Sequence, residues 1–239
     1  MFAGSASKPV LEEAAKRIEK ELGIRILLNL GGSGSMLSQL ELGRRGDIYL
    51  PGSHDYIERA VARHVVDPAS RIDFAYLVPA LLVQAGNPLG IHTLADLERP
   101  DVRAAIAEPR TVCVGAYAEG VLERAGLANK LLPRLGRARS CAALANLLAL
   151  GNVDAIIGWR VFAAWYPDRL QVVPLPPPLV TRVAAVPGGV TTFAAHPGAA
   201  KRVLAWLAGR EGRTLWRAHG YLVTSKEALA LAPEASAPR

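Results

Sequence analysis

The stretch best equipped for chemistry is Asn29-Leu30-Gly31-Gly32-Ser33-Gly34-Ser35. It follows an apolar run (Ile24, Ile26, Leu27, Leu28) and precedes a helical pattern, so it reads as strand, Gly/Ser loop and helix start. N–H groups at a helix N-terminus lack intrahelical acceptors and carry partial positive charge, which makes such a junction an anion site. Glycine lets the backbone approach a ligand, and Ser33 and Ser35 add hydroxyl donors. No Gly-Lys-Ser/Thr ending is present, so the loop is not a nucleotide P-loop. Its composition suits a small anion held by neutral dipoles, and the structural alternative is a turn with a Ser helix cap.

Other chemistry has little support. His54, His64, His92, His196 and His219 show no His-x-x-x-His spacing, and Gly32-Ser33-Gly34-Ser35-Met36 is not a Gly-x-Ser-x-Gly nucleophile elbow. Asp47, Asp55 and Asp154 are isolated acids. Cys113 and Cys141 lack Cys-x-x-Cys spacing; they read as one disulfide in an oxidising compartment or as two small buried thiols. A binding protein without cofactor or protein-held metal is expected, not an enzyme.

The 239 residues are 51% hydrophobic and 21% charged, ordinary for one large domain or two lobes. Net charge is +7, but the basic residues are scattered, with no run of five and no basic helix interleaved with aromatics. That pattern argues against nucleic acid, while the positive field would steer anions. No apolar run reaches the ~18 residues needed to span a bilayer. Met1 followed by Phe2-Ala3-Gly4-Ser5 reads as a start placed where a leader was removed.

Residues 9–22 carry Val10, Ala14, Ile18 and Leu22 at a four-residue spacing and end at Gly23, a helix with its stop. The pattern predicts a strand over 24–29, a helix over 35–42 and a strand over 47–50. Beyond these come a helix over 56–64 and a continuous buried strand over 76–83 with Pro79 at a bend. Short helices are expected over 94–97 and 102–107, a strand over 111–114, and helices over 116–125 and 142–150. Strands over 153–159, 170–175 and 184–186 follow, with the Pro-rich tract 174–178 extended and a last helix over 197–208. The alternation is that of an α/β protein with mostly parallel sheets. Divisions fall near 75–78 and 181–186. They predict a discontinuous lobe I (1–76 plus 184–239), a lobe II (77–183), and a ligand in the cleft between them.

In order and spacing, several segments resemble the molybdate- and tungstate-binding proteins of ABC importers. They are Phe2-Ala3-Gly4-Ser5-Ala6-Ser7, Gly31-Gly32-Ser33-Gly34-Ser35, Gly46-Asp47-Ile48-Tyr49, Gly86-Asn87-Pro88-Leu89-Gly90 and Gly115-Ala116-Tyr117. Gly151-Asn152-Val153-Asp154 and His196-Pro197-Gly198-Ala199-Ala200 continue the series. The resemblance implies a type II periplasmic-binding-protein fold that closes on a tetrahedral oxyanion, held by serine hydroxyls and helix N-terminal N–H groups. Carried over by position, it implies Ser33, then Ser5 or the shifted alternative Ser7, backbone N–H contacts at Val114 and Ser140, and Trp159 in place of a tyrosine donor. It further implies a monomer outside the cytoplasmic membrane that meets the membrane only through an ABC permease or a lipid anchor. Molybdate or tungstate is the implied ligand; sulfate, phosphate, or a ligand-sensing regulatory role of the same fold are the alternatives.

Overall fold

The computed structural model describes residues 1–236. The predicted first helix is α1 (Lys8–Leu22), with Pro9 in its first turn and Val10, Ala14 and Ile18 on its buried face. It stops at Gly23, whose φ of 65° is the left-handed cap that glycine adopts without strain. Helices α2 (Ser33–Gly43) and α3 (His54–Ala62) follow strands β2 (Asn29–Gly31) and β3 (Ile48–Leu50). With β1 (Phe2–Gly4), β4 (Ile72–Leu77) and β10 (Ala184–Val190) these strands make one sheet, ordered β2-β1-β3-β10-β4. β1 pairs in parallel with β2 and β3, and β10 pairs antiparallel with β3 and β4.

The second sheet, ordered β7-β6-β8-β5-β9, contains β5 (Pro79–Gln84), β6 (Ala104–Ala107), β7 (Gly136–Ala138), β8 (Ala155–Trp159) and β9 (Leu170–Val173). β6 pairs in parallel with β7 and β8, whereas β5 pairs antiparallel with β8 and β9. Its helices are α4 (Cys113–Arg124), α5 (Ala128–Leu131), α6 (Cys141–Ala149) and α7 (Phe162–Trp165). The chain closes with α8 (Pro197–Ala208), α9 (Arg210–Ala218) and α10 (Ser225–Leu231), which lie beyond the return to the first sheet. The expected α/β, two-sheet architecture is present, although half of the pairings in each sheet are antiparallel because one strand, β10 in the first and β5 in the second, runs against the other four.

Several local expectations are corrected. The apolar run 76–83 is not one strand: it breaks at Val78, and its two parts join different sheets. Residues 104–107 form a strand and not a helix, because pairing on both sides outweighs the helix preference of Ala104-Ala105-Ile106-Ala107. Residues 113 and 114 open α4 instead of ending a strand. The strand expected over 24–29 starts only at Asn29, and Pro177–Leu179 is a 3-10 turn within the tract expected to be extended.

Candidate functional site

Parallel neighbouring strands place their carboxyl ends side by side, and ligands in open α/β sheets bind there. In the first sheet β2, β1 and β3 are adjacent, so Ser33, Ser5 and the turn Pro51-Gly52-Ser53 come together. In the second sheet β7, β6 and β8 are adjacent, and they bring up Cys141, Cys113 and Trp159. The two sets meet. Gly52 N–H donates to Ser33 Oγ (3.0 Å), and Ala142 N–H, from the first turn of α6, donates to Ser5 Oγ (3.2 Å). Gly34 N–H donates to the Thr111 carbonyl (2.9 Å), and Tyr56 O–H to that of Arg110 (3.1 Å). All four bonds except the first join the two sheets' halves.

Ser33 is fixed from several sides. Tyr49 O–H donates to its carbonyl at 2.8 Å, and the residue is 1% exposed. Because both Ser5 Oγ and Ser33 Oγ accept from backbone N–H groups, each keeps its own proton to donate. Burial pushes the phenols of Tyr49 and Tyr117 well above their ordinary range, so both stay neutral. A methyl group on Gly52 would stand 2.7 Å from Cys113 Sγ, a contact only glycine avoids. The Cys113 thiol lies beside Cys141 and Ser33, and Cys141 beside Trp159. The two thiols share protons: the first leaves below the ordinary thiol range because Cys141 donates to Cys113, and the second only well above it.

Of the residues singled out in the sequence, Ser5, Ser33, Val114 and Trp159 lie in this cluster. Ser7 is fully buried beside it in sequence, with a hydroxyl that has no partner and does not cap α1. Ser140 caps α6 by accepting from Ala143 N–H (3.1 Å), so the N–H reaching across from this helix is that of Ala142. Sequence reasoning missed Gly52, Ser53, Ala142 and the two cysteines. The thiols are free and buried, one of the two states left open for them. Among the described residues no group of three His, Cys, Asp or Glu could hold a metal ion. A separate pocket of about 280 Å³ lies alongside, between Tyr117, Glu119 and Arg182.

Neutral donors at converging strand and helix ends, with two halves of the chain meeting over them, are suited to enclosing a small solute. Residues 1–222 match the family described as bacterial extracellular solute-binding protein. The chain belongs to that family. A Haemophilus influenzae relative described only as a binding protein is 25% identical over 223 residues, covering 93% of this chain and 89% of its own. The molybdate-binding protein ModA of Escherichia coli is 24% identical over 239 residues, covering 93% and 88%. The solved periplasmic molybdate-binding protein of Azotobacter vinelandii superposes with a TM-score of 0.81 at 19% identity, over 94% of this chain and 98% of that one. The fold is therefore that of the type II periplasmic-binding proteins, and this family member is a solute-binding protein. Among the described residues no helix is long and apolar enough to cross a membrane.

Proposed function

We propose that the protein captures a tetrahedral oxyanion, molybdate or tungstate, in the cleft between its lobes and delivers it to an ABC permease outside the cytoplasmic membrane. Lobe I is residues 1–76 with the segment from 184 on, of which 237–239 lie outside the described residues, and lobe II is residues 77–183. The observation that carries the reading is the pairing of Ser5 and Ser33, buried hydroxyls from neighbouring strand ends, with backbone N–H groups of the α6 N-terminus and the β3–α3 turn. A dianion in such a place is stabilised by charge-assisted hydrogen bonds and needs no cationic side chain. On closure Ser5 and Ser33 donate hydroxyl protons, the N–H groups of Gly52, Val114 and Ala142 converge, and Trp159 Nε1 supplies one more donor. Ser7 and Ser140 act from behind, through backbone placement. The similarity to molybdate-binding relatives supports the choice of anion, and membership of a solute-binding family supports binding without turnover.

Calorimetric titration of desalted protein with molybdate, tungstate, sulfate and phosphate tests this. The expected result is tight binding of molybdate or tungstate over sulfate, weakened at least about tenfold by Ser33→Ala, as loss of one hydrogen bond to a charged group worth about 1.5–3 kcal/mol requires. Preference for sulfate or phosphate, or indifference to Ser33→Ala, removes the ligand reading.

A further inference from the structure

The pocket of about 280 Å³ lies between α4 and the passage from β9 back to β10, and it contains none of the groups assigned to the anion. Glu119 and Glu123 stand one helical turn apart on α4, and both line it. Like charges at that spacing repel unless a cation joins them. The chain carries 28 Lys and Arg against 21 Asp and Glu, yet neither carboxylate has an ion pair or hydrogen bond among the described residues. Two neighbouring arginines are engaged elsewhere. Arg182 donates to Asp55 at 3.2 Å, and Arg124 Nε donates to the Pro178 carbonyl at 3.0 Å. Two further observations point to a ligand. Tyr117 lines the pocket and is 7% exposed, and its hydroxyl makes no hydrogen bond among the described residues. A buried hydroxyl without a partner is costly unless something in the pocket pairs with it. Gly120 also lines the pocket, in a helix interior where glycine is less stable than alanine. Nothing packed against the helix stands within 4 Å of where its Cβ would be, so packing does not demand glycine there. The missing side chain keeps the pocket open.

We propose that this pocket binds a short aliphatic diamine. The inference is independent of the oxyanion reading. Each carboxylate takes one ammonium group by charge-assisted hydrogen bonding, and the Tyr117 hydroxyl accepts from the ammonium at Glu119. The methylene stem lies on Val121, Leu179 and Val180, which line the same pocket. Residues four apart on a helix have Cβ atoms about 5–6 Å from each other, a span that a four-carbon diamine bridges and a single ammonium does not. Hydrogen-bond acceptors favour a primary ammonium over a quaternary one, and Arg182 already lies over the Tyr117 ring, at 4.4 Å, where a quaternary ion would stack. The charge of Arg182 is offset by Asp55, so it does not oppose the diamine. A divalent metal ion is a poorer match. Such ions take six or more oxygen ligands, and among the described residues no group of three His, Cys, Asp or Glu comes together to hold one. The volume lies at the lower end of the ~300–1,000 Å³ range of small-molecule pockets, as a ligand this small requires.

Calorimetric titration of the full chain with putrescine, ethylamine and magnesium chloride tests this. The expected result is saturable binding of a single putrescine per chain, with ethylamine at least about tenfold weaker because it engages one carboxylate only. Glu119→Gln should weaken putrescine binding about tenfold, and Tyr117→Phe and the more exposed Glu123→Gln about threefold each. Gly120→Leu fills the pocket and should abolish binding without lowering the thermal transition, since leucine suits a helix better than glycine. Should that variant fail to fold, Glu119→Gln decides alone, because it replaces a partly exposed side chain with one of the same shape. No saturable putrescine binding overturns the inference, as does binding that ethylamine equals or that both Glu119→Gln and a folded Gly120→Leu leave intact. Magnesium bound more tightly than putrescine, and lost in Glu119→Gln, would make this a metal site and also overturns it. Molybdate titration of the same variants should match the parent. Loss of putrescine binding with molybdate retained sinks this inference alone, and the converse sinks the oxyanion reading alone.

Discussion

Ser33 concentrates the local physics of the site. Its hydroxyl accepts from Gly52 N–H, its carbonyl accepts from Tyr49 O–H, and its position opens α2. The sequence exposed this residue because glycine, serine and a following helix pattern lie within seven positions. The cysteines were opaque for the opposite reason. Spacing along the chain reveals only nearby pairs, whereas Cys113 and Cys141 meet because β6 and β7 are parallel neighbours. The thiol pair adds a pH dependence with a definite sign. Its first proton is lost below the ordinary thiol range of about 8.5, because Cys141 donates to the Cys113 sulfur. A thiolate in the cleft repels a dianion, so binding the anion raises that first pKa, and affinity falls as pH rises through the value in the free protein. Calorimetry between about pH 6 and pH 9 should show this decline, and Cys113→Ser should flatten it. An equally steep decline in Cys113→Ser would show that the thiols are not its source.

At the scale of elements, the cleft is made by strand ends. The helix–loop grammar of β2 and α2, the stop at Gly23 and the last long helix, α8, were all legible because each rests on local periodicity and capping. The β6–α4 region was not. Ala104-Ala105-Ile106-Ala107 has helical composition but is held as a strand by partners on both sides, and the run Thr111-Val112-Cys113-Val114, with three β-branched residues, turns into a helix start. Gly115 permits that turn, since a Cβ there would lie 2.4 Å from the Ala107 carbonyl oxygen. Asp154, part of the family resemblance, has a structural role. Its carboxylate accepts from Arg103 N–H (2.9 Å) and from the guanidinium (2.8 Å), which holds it below the usual carboxylate range and ties the loop before β8 to β6. The β3–α3 turn yields the sharpest expectation. Gly52→Ala puts a methyl group against Cys113 Sγ, so the variant should fold with a thermal transition close to the parent but bind the anion at least about tenfold more weakly. Unchanged affinity would mean that the two halves do not need this approach to bind.

Over the whole molecule, the chain passes between the sheets at Val78 and again between Val173 and Ala184, and a small core of Val78, Val180, Val183, Ala228 and Ala232 packs where those passages run. Arg182 on the return passage donates to Asp55 of α3 at 3.2 Å and lies over the Tyr117 ring of α4 at 4.4 Å. It thereby holds elements of both halves together. The pair is substantially exposed, so its stabilisation of the closed arrangement is no more than about 1 kcal/mol. Arg182→Ala should then lower oxyanion affinity by about two- to fivefold and raise the radius of gyration of the ligand-free protein, because the equilibrium shifts toward the open form. Unaltered scattering and affinity would remove Arg182 from the account of closure. Divisions near 75–78 and 181–186 were readable in the sequence, but the break at Val78 was not, because residues 76–83 are continuously apolar and read as one strand. Contacts across the cleft, such as Ala142 with Ser5, join residues far apart in sequence and have no local signature. The most direct measurement is anomalous diffraction at the tungsten edge from crystals grown with tungstate. The account predicts one strong peak within hydrogen-bonding range, through its oxygens, of Ser5, Ser33 and the N–H groups of Gly52, Val114 and Ala142. A peak elsewhere, or none in a cleft that has closed, would contradict it.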